Sequence, residues 1–106
     1  MLKPFGRHEI MASGIMAWTG NWKELYDKFN YARDTGAFRG DQDYLTSQLM
    51  SKNNVGFIQD HVSGIYSYKY HCQEKLPDDA RIVCFHGRPR PIETIHLEWV
   101  KNNWRI

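Results

Sequence analysis

Cysteine is scarce in this 106-residue sequence: Cys72 and Cys84 are the only two, and their separation is not that of a metal-binding pair. A thiolate zinc site built on them is therefore excluded. One disulfide between them remains open, but free buried thiols in a cytoplasmic protein are the expected state, since nothing else points to secretion. Met1 to His8 lacks the apolar segment of a signal peptide. No apolar run approaches the ~20 residues that span a bilayer, so a membrane span is excluded and a soluble chain expected. Charge of one sign is lacking too. Fourteen Lys and Arg against 12 Asp and Glu leave +2, with no basic run of five, which excludes the electrostatic footprint of a nucleic-acid binder. Also missing are a Ser-His-Asp order, a Gly-rich phosphate loop, a Cys/His cluster, repeats and low-complexity stretches. No linker divides the chain, so one domain over 1–106 is expected, with residues 1–9 as a mobile arm around Pro4 and Gly6.

Aromatic residues are abundant instead. Four Trp, six Tyr and five Phe supply a core, and any left outside it are suited to stack on sugar rings or bases. Ile10 to Trp18 is a short apolar run suited to a buried strand. Trp22, Leu25, Tyr26, Phe29 and Ala32 follow the spacing of one helical face, and Asp34-Thr35-Gly36 is expected to end that helix. A second helix is expected from Asp41 to about Met50, and a short strand over Val55-Gly56-Phe57-Ile58. Ile65 to Tyr70 alternates like a strand, which puts Tyr68 and Tyr70 on one face and Ser67, Lys69 and His71 on the other. Leu76-Pro77-Asp78-Asp79 predicts a turn, Ala80 to Phe85 the most strand-like run, and Thr94 to Asn103 a last helix with Ile95, Trp99 and Val100 inward. The alternation of strands and three helices implies an α/β fold, with α+β as the alternative.

Three segments are able to carry chemistry. In Phe85-His86-Gly87-Arg88-Pro89-Arg90-Pro91, a glycine permits close backbone approach and two prolines stiffen the turn. His86 offers a nitrogen to a metal or a phosphate oxygen, and Arg88 and Arg90 offer forks suited to a diphosphate. The plainer reading is a surface turn with solvated arginines. Asp41-Gln42-Asp43 contains a literal Asp-x-Asp, yet no buried apolar strand precedes it. These residues either stabilise the helix start or hold sugar hydroxyls. Lys69 and His71 point into a cleft or belong to a half-exposed strand.

Taken together, these segments resemble the C-terminal half of a GT-A-type glycosyltransferase, close to the family-8 retaining enzymes and their bacterial and phage relatives. Ser13-Gly14-Ile15-Met16 resembles the family's Asn-Ser-Gly-aliphatic strand, and Gly40-Asp41-Gln42-Asp43 its Asp-Gln-Asp segment. Ser67-Tyr68-Lys69-Tyr70-His71-Cys72 is similar to the Ser-Tyr-Lys-aromatic-His strand of the bacterial relatives. The 85–91 turn, followed by Trp99 and Trp104, is similar to the closing His-Gly-Lys-Pro-Lys-Pro loop and its helix. Ala12 replaces the family's Asn, Arg90 its Lys, and Cys84 stands where family-8 enzymes place a metal-binding His.

The resemblance implies a partial GT-A-like sheet lacking the N-terminal nucleotide-binding βαβ half. It implies a hexosyltransferase-like reaction between a nucleotide-sugar donor and a carbohydrate acceptor, inactive until that half is supplied. Asp41 and Gln42 would be catalytic; His86, Gly87, Arg88 and Arg90 would bind diphosphate; Ser13, Gly14, Asp43, Lys69 and His71 would bind sugar or acceptor. Mn2+ or Mg2+ is the implied cofactor, with His86 as a ligand. A non-catalytic sugar or nucleotide-diphosphate binding module, and a split chain acting as a homo-oligomeric structural partner, are the alternatives.

Overall fold

The computed structural model describes residues 1–5 and 11–105, which form two compact units, Met1–His61 and Val62–Ile106. Each holds helices, and the second holds a pair of parallel strands, so the chain is of mixed helix and strand.

In the first unit the N-terminal residues are held in place. Leu2 is buried and forms an antiparallel bridge with Ala12, through hydrogen bonds of 2.9 and 3.3 Å. The Met1 carbonyl accepts from Ile58 N at 2.9 Å, and Gln59 bonds both the N–H and the carbonyl of Lys3. Residues 1–5 of the expected arm thus carry defined bonds to the rest of the unit; residues 6–9 lie outside the described ones. The expected strand from Ile10 is corrected as well, with Ile10 itself outside the described residues. It shrinks to that one bridge because the chain bends at Gly14 and Ile15, and Met16 and Trp18 beyond the bend are exposed. Nor does a strand form at 55–58. Ile58–Asp60 is a 3-10 turn, and its neighbourhood meets the N-terminal residues by single hydrogen bonds, not a ladder.

The first expected helix divides into α1, Lys23–Lys28, and α2, Tyr31–Ala37. Phe29 and Asn30 between them are extended. Asn30 ends the first helix by starting the next: its side chain accepts from Arg33 N at 3.0 Å, while its own N–H goes to Asp34 Oδ2 at 2.7 Å. Local capping outcompetes the continued helical ladder, and α2 runs through Asp34-Thr35-Gly36 where a stop was expected. Helix α3, Asp41–Leu49, lies where the sequence predicts it. It buries Tyr44 and Leu49, with the Tyr44 ring edge-on to Phe29 and Phe38 and its hydroxyl donating to Leu25 O at 2.7 Å. Edge-on aromatic pairs contribute about 0.5–1.5 kcal/mol each beyond area burial.

In the second unit β1, Ile65–Ser67, pairs in parallel with β2, Ile82–Cys84, in the register Ile65↔Ile82 to Ser67↔Cys84. Gly64 starts β1 at φ +85, and a Cβ there would come within 2.5 Å of the Asp79 carbonyl oxygen, so only glycine fits. The expected strand stops early, at Ser67, and continues as a π-helical turn, Tyr68–Cys72. The cause is local: His71 Nδ1 accepts the Ser67 N–H at 3.0 Å, curling the chain back on itself. Tyr68 is therefore buried and Tyr70 exposed, where alternation put both on one face. The expected turn forms one residue later, over 77–80 with Asp78 and Asp79 at its centre, closed by Ala80 N to Pro77 O at 3.0 Å. The last helix is shorter than expected: a 3-10 turn, Pro91–Thr94, precedes α4, Glu98–Asn103, because Leu97 is extended. Val100, one of the positions expected inward, is its buried residue, while Ile95 is exposed. Around Val100 and the fully buried Cys72 the core is aromatic, with Tyr68 stacked on Phe85 at 4.7 Å and Trp99 at 6.3 Å from both rings.

Candidate anion site around Gly87

The π-helical turn and the loop after β2 bring together residues distant in sequence. Gly87 has φ +71, a left-handed conformation that leaves its Cα face open. Over that face lies the Lys69 ammonium, placed so that a Cβ on Gly87 would meet Nζ at 3.4 Å. His86, one residue earlier, shares a 2.7 Å hydrogen bond between Nε2 and the Oγ of fully buried Ser67. Partial desolvation, reinforced by the nearby Lys69 charge, holds the His86 pKa below the usual imidazole value. His86 is consequently neutral near pH 7, and Lys69 carries the positive charge of the cluster. Tyr70, 60% exposed, lies nearly parallel to the His86 ring, with centroids 6.1 Å apart and planes at 24°. Its other neighbour is His71, at 6.3 Å.

The two loop arginines are used differently. Arg88 pairs with Glu93, whose other oxygen accepts from Arg90 N at 2.6 Å. Glu93 thus neutralises one guanidinium and holds the loop against the turn that follows. Arg90 and Lys69 form no ion pair among the described residues. The cation over Gly87 is therefore Lys69, with Arg90 on the same loop, while Arg88 is already matched by Glu93. Charge-assisted contacts of this kind are about twice as strong as neutral ones.

The remaining predicted positions lie in the first unit. Asp41 is exposed at the start of α3, and Gln42 beside it is half-buried. Asp43 accepts from the backbone and side chain of Arg39, both at 3.3 Å, which is a helix-start role. Ser13 is half-buried and Gly14 exposed at the bend. Among the described residues no three His, Cys, Asp or Glu side chains gather as a metal site would require. The implied Mn2+ or Mg2+ accordingly has no complete ligand set among the described residues. Burial raises the pKa of both free thiols, Cys72 and Cys84, so they are protonated near pH 7.

Two members of the cluster escaped the sequence reading. Ser67 and Tyr70 lie in the Ser-Tyr-Lys-aromatic-His segment, but only Lys69 and His71 were expected to bind there, and strand alternation put Ser67 and Tyr70 on opposite faces. Comparison with protein-family models, curated proteins and solved structures returned no match.

Proposed function

We propose that the 62–106 unit grips the diphosphate of a nucleotide-sugar, and that the chain is the acceptor- and diphosphate-side half of a glycosyltransferase. One observation carries the reading: the Lys69 ammonium lies over Gly87, beside the Ser67-anchored His86 that precedes this glycine in the loop. A lysine, a nearby imidazole and a left-handed glycine form a compact place for oxyanions, and such preorganised charge also stabilises a departing diphosphate. The order of the Ser-Gly, Asp-Gln-Asp, Ser-Tyr-Lys and His-Gly-Arg segments along the chain supports the glycosyltransferase class. The uridine pocket belongs, in this reading, to the nucleotide-binding half.

Pyrophosphate titrated into the labelled chain should shift the amide resonances of His86 and Gly87, with a dissociation constant on the order of millimolar. Lys69→Ala should remove that response. Amides at 86–87 that stay fixed would overturn the anion site. Calorimetry with a nucleoside diphosphate and Mn2+ should show weak or no heat. Tight binding abolished by Arg90→Ala would mean that the nucleotide-binding half is not needed for affinity.

A further inference from the structure

Tyr70 is the least explained residue of the cluster. A tyrosine ring buries up to roughly 150–250 Å2 when it serves a core, yet this one stays 60% exposed while Tyr68, two residues earlier, is 7% exposed. The π-helical turn causes the difference, since it carries Tyr68 inward onto Phe85 and turns Tyr70 outward. Outward does not mean unconstrained. The ring is nearly parallel to His86 at 6.1 Å and inclined 56° to His71 at 6.3 Å, so two imidazoles limit its orientation. It also follows Lys69 directly and adjoins the residue preceding Gly87. A flat apolar surface is thereby fixed at the edge of the oxyanion place.

We infer that Tyr70 is a stacking platform for the sugar ring attached to the bound phosphate, making the ligand a hexosyl phosphate. The inference rests on the proposed anion site. The apolar C–H face of a pyranose gains from an aromatic surface by area burial and dispersion. The phosphate, held by Lys69 and Gly87, brings the ring to Tyr70 at a smaller ordering cost than a free sugar would meet.

The test uses the full chain and three probes: methyl phosphate, glucose 1-phosphate and uridine monophosphate, each titrated while the Gly87 and Tyr70 resonances are followed. Glucose 1-phosphate should bind about fivefold more tightly than methyl phosphate, the size of one aromatic contact. Tyr70→Ala should erase that advantage, leave methyl phosphate unchanged and preserve the dispersed spectrum. Tyr70→Phe should keep the advantage, because the ring and not the hydroxyl does the stacking. If methyl phosphate binds but glucose 1-phosphate gains nothing, or its gain survives Tyr70→Ala, the platform is overturned and the anion site stands. If methyl phosphate itself leaves Gly87 unmoved, both fall. A Tyr70-dependent gain confined to uridine monophosphate overturns the sugar assignment in favour of a base.

Discussion

At the scale of single residues, the most constrained charge is the Asp34 carboxylate. It is 3% exposed, accepts from Arg33 Nε at 2.5 Å and takes the Asn30 N–H. The Arg33 hydrogen bond, with the Asn30 N–H next, holds its pKa below the usual carboxylate value. A folded-state pKa below the unfolded one stabilises at pH above the ordinary range, near ~4, and the benefit vanishes as pH falls through the lower folded value. Asp34→Asn should therefore lower the thermal midpoint by several degrees at neutral pH. The gap from the parent should narrow toward about pH 2, as circular dichroism melts at both pH values would reveal. Gly87→Ala combines a left-handed backbone with a Cβ facing Lys69 Nζ, so it should cost about 1 kcal/mol in urea unfolding and weaken pyrophosphate binding. Of the two thiols, Cys72 is fully buried, so an aromatic disulfide reagent should label it only on unfolding and reach Cys84 sooner.

Elements here are short, and their ends are set by individual side chains. Asn30→Ala removes the cap of α2 and should cost about 1 kcal/mol, with Asn30→Asp restoring most of it, measured by denaturant midpoints. Leu2→Ala deletes a buried side chain of the first unit and should cost about 2–3 kcal/mol, a loss a mobile arm would not show. These two places also explain what the sequence conveyed and what it hid. Helix α3 was legible because its apolar spacing and its boundaries agree; β2 was legible because β-branched residues crowd Ile82 and Val83. The α1–α2 break was not, since the apolar spacing runs straight through it and the deciding bonds are two caps around Asn30. The early end of β1 was hidden likewise, because Ser67 to His71 is a local bond that overrides perfect alternation. For the site, the Gly87 loop was evident from composition. That Lys69 would join it, and that Arg88 would be matched by Glu93, required folded geometry.

For the molecule as a whole, no described helix is long and apolar enough to cross a membrane. The predicted site residues divide between the units: Asp41, Gln42 and Asp43 belong to the first, Lys69, His71 and the 86–90 loop to the second. On the half-enzyme reading, the 106-residue chain should show no detectable sugar-nucleotide hydrolysis in a coupled phosphate-release assay with Mn2+. A robust metal-dependent rate would sink the half-enzyme reading. One feature of the second unit bears on how this chain tolerates length changes. A wide π-type turn holds one residue more than an α turn needs, and Lys69 sits within it. Deleting a single position between Tyr68 and Cys72 should remove that extra residue and disturb the turn that carries the lysine. Chain length at this spot, as much as residue identity, keeps the ammonium over the loop.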